Sequence, residues 1–253
     1  MKSETKIALI TGGSRGLGRS TAENLAKRGV DSVITYNVNK EEAETVVKNI
    51  RSLGARAVAL QLDTGNAESF VSFESDFKQA LATLDASNFD YLINNAGNSS
   101  GMGFLSATQD EFDILYRIHV KGVFFLTQTL VPLLRDGGRV INVSSGLTRV
   151  IMPNRAAYAT MKSAVETMTK YMALELGHRN IAVNCVAPGA IATDFSGGAV
   201  RDNPDVAKAI AGMTALGRTG QPDDIGAMIA SLVSDENRWV NAQRIEVSGG
   251  MRI

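Results

Sequence analysis

Apolar residues fall along this chain in two alternating rhythms. Short runs rich in β-branched residues, at 6–11, 32–37, 56–62, 89–94, 138–144, 181–187 and 243–248, read as strands. Between them, stretches at about 16–29, 39–53, 66–84, 109–135, 155–178 and 222–235 carry the spacing of amphipathic helices. Strand alternating with helix from end to end predicts an α/β fold of βαβ units on a parallel sheet. Runs such as Ile7-Ala-Leu-Ile10 are continuously apolar, as strands are when helices cover both faces. Gly29 and Gly54 mark the ends of the first two helices, and Gly137-Gly138 separates the fourth helix from its strand. No repeat, low-complexity tract or linker-like change of composition interrupts the pattern, so residues 1–253 are expected to form a single domain. The stretch 190–221 alone departs from it. Rich in Gly, Ala and Met, with Ser196-Gly-Gly198, it is expected to be a substrate loop, with a mobile lid and a plain surface loop both open.

Charge narrows the range of partners. The chain has 26 Lys+Arg against 26 Asp+Glu, so no global field gathers nucleic acid or an anionic membrane. Cys185 is the only cysteine and sits in an apolar run, which excludes a disulfide framework, a thiolate metal cluster and a Cys-x-x-Cys redox pair; no metal site is expected. The start, Met1 to Lys6, is polar and runs straight into a strand, and the longest apolar candidate, Gly122 to Leu134, is interrupted by Thr127, Gln128, Thr129 and Pro132. A soluble, cytoplasmic protein is therefore expected.

The first strand runs into Thr11-Gly12-Gly13-Ser14-Arg15-Gly16-Leu17-Gly18 and then a helix. Glycines at such a place let the backbone turn tightly and approach a pyrophosphate, whose charge the free N–H groups of the helix N-terminus stabilise. The spacing is Gly-x-x-x-Gly-x-Gly, with Ser14 in the second glycine's usual place, and a purely steric strand-to-helix turn is the competing reading. About 20 residues on, dinucleotide sites carry an acid for the adenosine ribose. Here the second strand ends Thr35-Tyr36-Asn37-Val38-Asn39-Lys40. A carboxylate there would repel a 2′-phosphate, whereas Arg15, together with Lys40, pairs with one, which favours NADP(H) over NAD(H).

Further on, Tyr158-Ala-Thr-Met-Lys162 puts a phenol and an ammonium on one helix face. A tyrosine with a pKa near 10 is a poor proton carrier at neutral pH, and a nearby cation brings it toward the working range. Ser145, thirteen residues before Tyr158 at the end of a strand, has a hydroxyl suited to holding a carbonyl.

The ordered set Thr11-Gly-x-x-x-Gly-x-Gly18, Asn94-Asn-Ala-Gly97, Val143-Ser-Ser145, Tyr158-x-x-x-Lys162 and Pro188-Gly189 resembles the short-chain dehydrogenase/reductase family over essentially the whole chain. The resemblance implies a single-domain Rossmann fold, a doubly wound seven-stranded parallel sheet with helices on both faces, and a homotetramer. It implies hydride transfer between NADP(H) and a ketone, aldehyde or secondary alcohol, with the greatest similarity to 3-oxoacyl-(acyl carrier protein) reductase-like members. Tyr158 would be the general acid/base, Ser145 would polarise the carbonyl, and Lys162 would bind the nicotinamide ribose and lower the tyrosine pKa. Around the cofactor it implies Gly12, Ser14, Arg15, Gly16, Leu17 and Gly18 from the glycine loop and Tyr36 and Asn37 from the second strand. Asp63 and Thr64 would line the adenine, and Asn95, Ala96 and Gly97 the adenosine side. Pro188 and Gly189 follow, with Ile191 and Thr193 at the carboxamide. Where the family carries an asparagine that positions a relay water, this chain reads Ile118-His119-Val-Lys-Gly122, so His119 is the expected substitute, against the simpler reading of a packed helix residue. Enoyl reduction is disfavoured because that branch spaces its tyrosine and lysine more widely. An NADP-binding regulator with weak activity is the alternative from another class, since fold does not fix function.

Overall fold

The computed structural model describes residues 5–99 and 101–253; the expectation drawn from the first four residues lies outside them. Seven strands, β1 (Ile7–Ile10), β2 (Asp31–Tyr36), β3 (Ala57–Gln61), β4 (Phe89–Asn94), β5 (Leu134–Val143), β6 (Ala182–Pro188) and β7 (Arg244–Val247), form one sheet. All are parallel, in the order β3-β2-β1-β4-β5-β6-β7. The helices are α1 (Gly16–Ala26), α2 (Lys40–Ser52), α3 (Phe70–Thr83), α4 (Gln109–Tyr116), α5 (Gly122–Leu130), α6 (Ala156–Glu175), α7 (Ala199–Asp202), α8 (Pro204–Gly212) and α9 (Pro222–Leu232).

The strand pattern explains the layering. Ala8 and Ile10 of β1 pack into a core shared with α1, α2 and α9, while Ile7 and Leu9 pack into a second core with α3, α5 and α6. Every position of β1 is thus buried, which is why no polar residue alternates along it. This is the doubly wound Rossmann arrangement, and all seven expected strands are present.

Two expected boundaries change. The helix read at 109–135 is broken by a π-helical turn, Arg117–Lys121, and the helical course ends in a 3-10 turn, Val131–Leu133, that contains Pro132. Hydrophobic periodicity registers which positions are apolar but not the extra residue a π turn inserts. Proline cannot donate the hydrogen bond that would continue the helix, so β5 starts at Leu134 and takes in Gly137 and Gly138 rather than following them. The stretch 190–221 is also more ordered than a loop: it folds into a 3-10 turn, Phe195–Gly198, followed by α7 and α8.

A buried polar ladder ties the two halves of the sheet to the second core. Asn94 Nδ2 donates to Asn142 Oδ1 (2.9 Å) and to Thr127 Oγ1 (3.0 Å), and Asn142 Nδ2 donates to Thr169 Oγ1 (2.9 Å). It joins β4, β5, α5 and α6 one residue before the Asn95-Ala-Gly97 segment. Asn142→Ala removes its hydrogen bonds to Asn94 and Thr169 and its weaker one to Met172 Sδ, all at a buried position, so it should lower unfolding stability by about 2–4 kcal/mol. Urea denaturation monitored by circular dichroism measures this, and a loss under about 0.5 kcal/mol, the range of ordinary surface changes, would show that the ladder carries little.

Candidate active site

Strand order reverses at β1, which lies between β2 and β4, and a crevice opens there at the carboxyl ends of the strands. Two residues hold its floor together. Thr11 Oγ1 donates to Ile93 O and accepts from the backbone N–H of Asn95 (2.9 Å) and Ala96 (3.0 Å). In return Asn95 Nδ2 donates to the carbonyls of Thr11 (2.9 Å) and Gly12 (3.1 Å). A Cβ on residue 18 would lie 2.3 Å from Gly12 O, so α1 can start this close under the loop only with Gly18.

The resulting cleft has a volume of about 840 Å³. Of the residues expected around a cofactor, Gly12, Ser14, Arg15, Gly16, Leu17, Tyr36, Asn37, Asp63, Thr64, Ala96, Gly97, Pro188, Gly189, Ile191 and Thr193 line it. Three expectations are refined. Gly18 lies behind the loop and not in the lining; its place is steric. Asn95 reaches the cleft, but its amide is spent on the loop carbonyls, so it shapes the site rather than presenting a free donor. Lys40 starts α2 outside the lining, where Asn39 caps the helix by accepting from Glu42 N (3.1 Å). The lining fits a 2′-phosphorylated dinucleotide: α1 starts at Gly16 on the cleft, Asn37 rather than a carboxylate follows β2, and Arg15 supplies a cation.

Ser145, at the end of β5, and Tyr158 and Lys162, one turn apart on α6, meet in the middle of this cleft. All three are buried. Burial drives the Tyr158 hydroxyl well above the usual phenol range, opposed by its hydrogen bond to Ser145 and by the positive field of Arg155. The cation expected to lower the phenol, Lys162, does not do so here. Its Nζ lies 5.7 Å from the Tyr158 ring centroid and donates to Val143 O (2.8 Å), and burial has pushed its own pKa down to about 8. A phenol held protonated is the form that can donate a proton to a reduced carbonyl.

The π turn swings His119 inward, where it is 1% exposed and stands edge-on to Tyr158, with ring centroids 5.4 Å apart. Its Nε2 faces the backbone O of Asn98 at 2.9 Å, which can only accept, so Nε2 carries the proton and Nδ1 is left as an acceptor. That buried Nδ1 has no protein partner. Burial first, then repulsion from Lys162, pushes the imidazole pKa down to about 2, so the ring is neutral at any working pH.

Two residues of the site escaped the sequence reading. Asn98 orients His119, and Glu166 accepts from Ser144 Oγ (2.7 Å), from Thr148 Oγ1 (2.8 Å) and from Arg244 Nε (2.8 Å), bracing both sides of Ser145. Glu166 lies four residues after Lys162, so the helical spacing that singled out Tyr158 and Lys162 extends to it. Nothing in the pattern around Asn98 distinguishes it.

Fold and site together define a dinucleotide-dependent oxidoreductase. The family described as Enoyl-(Acyl carrier protein) reductase matches residues 12–252. A hydroxynaphthalene reductase-like protein, Arp2, of Metarhizium brunneum is 34% identical over 256 residues, covering 97% of this chain and 94% of its own. Among solved structures, the promiscuous reductase LugOII superposes with a TM-score of 0.90 at 36% identity over 98% of both chains. The angucycline C-6 ketoreductase LanV, solved with bound NADP, superposes with a TM-score of 0.89 at 33% identity over 98% of this chain and 95% of its own. The chain belongs to the short-chain dehydrogenase/reductase family, as an NADP-dependent oxidoreductase.

Two measurements test the site. On the expectation that Lys162 works as a cation, kcat/KM for reduction should fall as pH rises through about 8; an alkaline limb that first bends above pH 10 would contradict this. His119→Asn should keep most turnover and His119→Leu should slow it, because leucine removes the Nδ1 acceptor. The acid limbs of wild type and His119→Asn should coincide, since His119 does not titrate above about 2. Equal rates for Asn and Leu variants of equal stability would make His119 a packing residue only.

Proposed function

We propose that this protein is a ketoreductase that uses NADPH to reduce a polycyclic, largely apolar ketone to the secondary alcohol. The hydride comes from the reduced nicotinamide. Tyr158 gives its hydroxyl proton to the carbonyl oxygen, Ser145 Oγ holds that oxygen, and Lys162 supplies positive charge beside the phenolate that forms. Gly12, Ser14, Arg15, Gly16, Leu17 and Asn37 would hold the phosphates and adenosine, and Pro188, Gly189, Ile191 and Thr193 the nicotinamide end. His119 Nδ1 accepts from the water that returns the proton.

The observation that carries the ketone reading is the meeting of buried Ser145, Tyr158 and Lys162 in one cleft, with Lys162 Nζ 5.7 Å from the Tyr158 ring centroid and apolar side chains around them. The substrate size is argued from the wall: Leu147, Val150, Met152, Phe195 and Met213 line it, with the Phe195 ring 6.0 Å from that of Tyr158. Such a surface suits flat, fused rings better than a flexible acyl chain. The names of the relatives, a hydroxynaphthalene reductase-like protein and an angucycline ketoreductase, agree with it. No helix among the described residues is long and apolar enough to cross a membrane, and a cytoplasmic location follows the family expectation. A homotetramer is supported by aromatic side chains left facing water on α4, α5 and α6, namely Tyr116, Phe124, Phe125 and Tyr171. One domain, 1–253, carries every residue named.

NADPH consumption over a panel of bicyclic and tricyclic aryl ketones, set against linear 3-oxoacyl thioesters, tests the reading. The fused-ring ketones should have the higher kcat/KM. Tyr158→Phe should lower their turnover by about 100-fold or more, the scale of a lost general acid. A preference for the thioesters would replace the substrate assignment.

A further inference from the structure

Tyr158, Lys162 and Glu166 follow one another at intervals of four residues along α6, so the helix face that carries two site residues continues one turn further to a carboxylate. Three donors from distant parts of the chain converge on one of its oxygens. Glu166 Oε1 accepts from Ser144 Oγ (2.7 Å), Thr148 Oγ1 (2.8 Å) and Arg244 Nε (2.8 Å), and the side chain is 17% exposed. Arg244 is the first residue of β7, and its Nη1 also donates to Glu246 (3.0 Å), so its charge has a second carboxylate. Glu166 lies outside the lining of the cleft.

The sheet stops holding the chain just before Ser145. The pairing of β5 with β6 runs as far as Val143 with Val186, and the backbone N–H of Ser144 adds a bond to Val186 O (2.7 Å). Ser145 comes next and caps the short 3-10 turn Gly146–Thr148, its Oγ accepting from Leu147 N (3.2 Å). The Ser145 carbonyl accepts from Thr148 N (3.3 Å), and Thr148 Oγ1 (3.0 Å) and Arg244 Nη2 (3.4 Å) also face it. Both of those residues are held on Glu166, as is Ser144 on the other side. The place of the Ser145 hydroxyl is thus set less by the sheet than by a carboxylate on the helix that carries Tyr158.

We infer that Glu166 is a positioning residue for the reaction: it ties the Ser145 turn to the tyrosine helix and so fixes where the Ser145 hydroxyl stands relative to that of Tyr158. This rests on the ketoreductase reading and adds to it a residue that touches neither substrate nor cofactor. A carboxylate suits the task, because hydrogen bonds to an ionised acceptor are about twice as strong as neutral ones. The effect belongs on turnover, since a displacement of about 1 Å in a group that must meet the reacting carbonyl costs on the order of 100-fold.

The test uses the full chain with saturating NADPH and a bicyclic aryl ketone. Glu166→Ala should lower kcat by about 10- to 100-fold and leave the NADPH Kd, read by fluorescence titration, within about 2-fold of wild type. Glu166→Gln keeps an oxygen for the donors and should recover most of that loss. In a Ser145→Ala background, Glu166→Ala should cost less than about 2-fold more, because the group it positions is already gone. Thr148→Val removes one link without touching α6 and should lower kcat by about 3- to 10-fold, the scale of one hydrogen bond. It carries the test if thermal melting shows Glu166→Ala to be unfolded. Variants that melt lower but keep wild-type kcat, or a Glu166→Ala loss that multiplies in full with that of Ser145→Ala, overturn the positioning role and leave the ketoreductase reading intact. Failure of wild type to reduce any ketone overturns the reading beneath it.

Discussion

The joint between Thr11 and Asn95 is the interaction on which the site depends. Parallel strands β1 and β4 carry their connections to opposite faces, so nothing in the sheet itself sets the width of the crevice between them. One hydroxyl taking two backbone N–H groups, and one amide giving to two carbonyls, set it instead. The glycine loop is held against the end of β4, just ahead of the N-terminus of α1. The same joint starts the segment that leads through Gly97 to Asn98, which orients His119. The glycine loop and the His119 end of the cleft are thus linked through a few hydrogen bonds.

Burial sets the charge states of the groups within that frame. Tyr158, Lys162 and His119 are each pushed by desolvation toward the neutral form, the phenol up and the two bases down. The protein spends little direct pairing on opposing this: Ser145 on Tyr158, Val143 O on Lys162, Asn98 on His119. The result is a pocket with a protonated acid, a weakened ammonium and a neutral imidazole, arranged for giving a proton away. The heavier charge pairing lies behind it, where Glu166 and Arg244 brace the residues on either side of Ser145. Charge there can be balanced without touching the reacting atoms.

Two features of the proposed chemistry are legible in the sequence. Tyr158 and Lys162 are joined by helix spacing, and Asn37 in place of an acid speaks to the cofactor's phosphate, because both depend only on short stretches of chain. His119 was visible as a departure but not as a geometry. Its inward turn comes from the π segment Arg117–Lys121, and a π turn has no apolar signature. Asn98 and Glu166 were missed for a related reason: their partners, His119 and Arg244, are distant in sequence and are brought near only by packing.

By itself the sequence determined the layered α/β fold, the strand count and the glycine-rich turn between the first strand and helix, and it singled out Tyr158 as the proposed proton donor. These follow from periodicity and from chemistry local to a few residues, where backbone geometry fixes the distances. Only the tertiary structure decided which way each ionisable group is biased, because that depends on how completely water is removed by elements far apart in the chain. It also decided that Lys162 gives its hydrogen bond to Val143 and that Gly18 serves packing rather than contact.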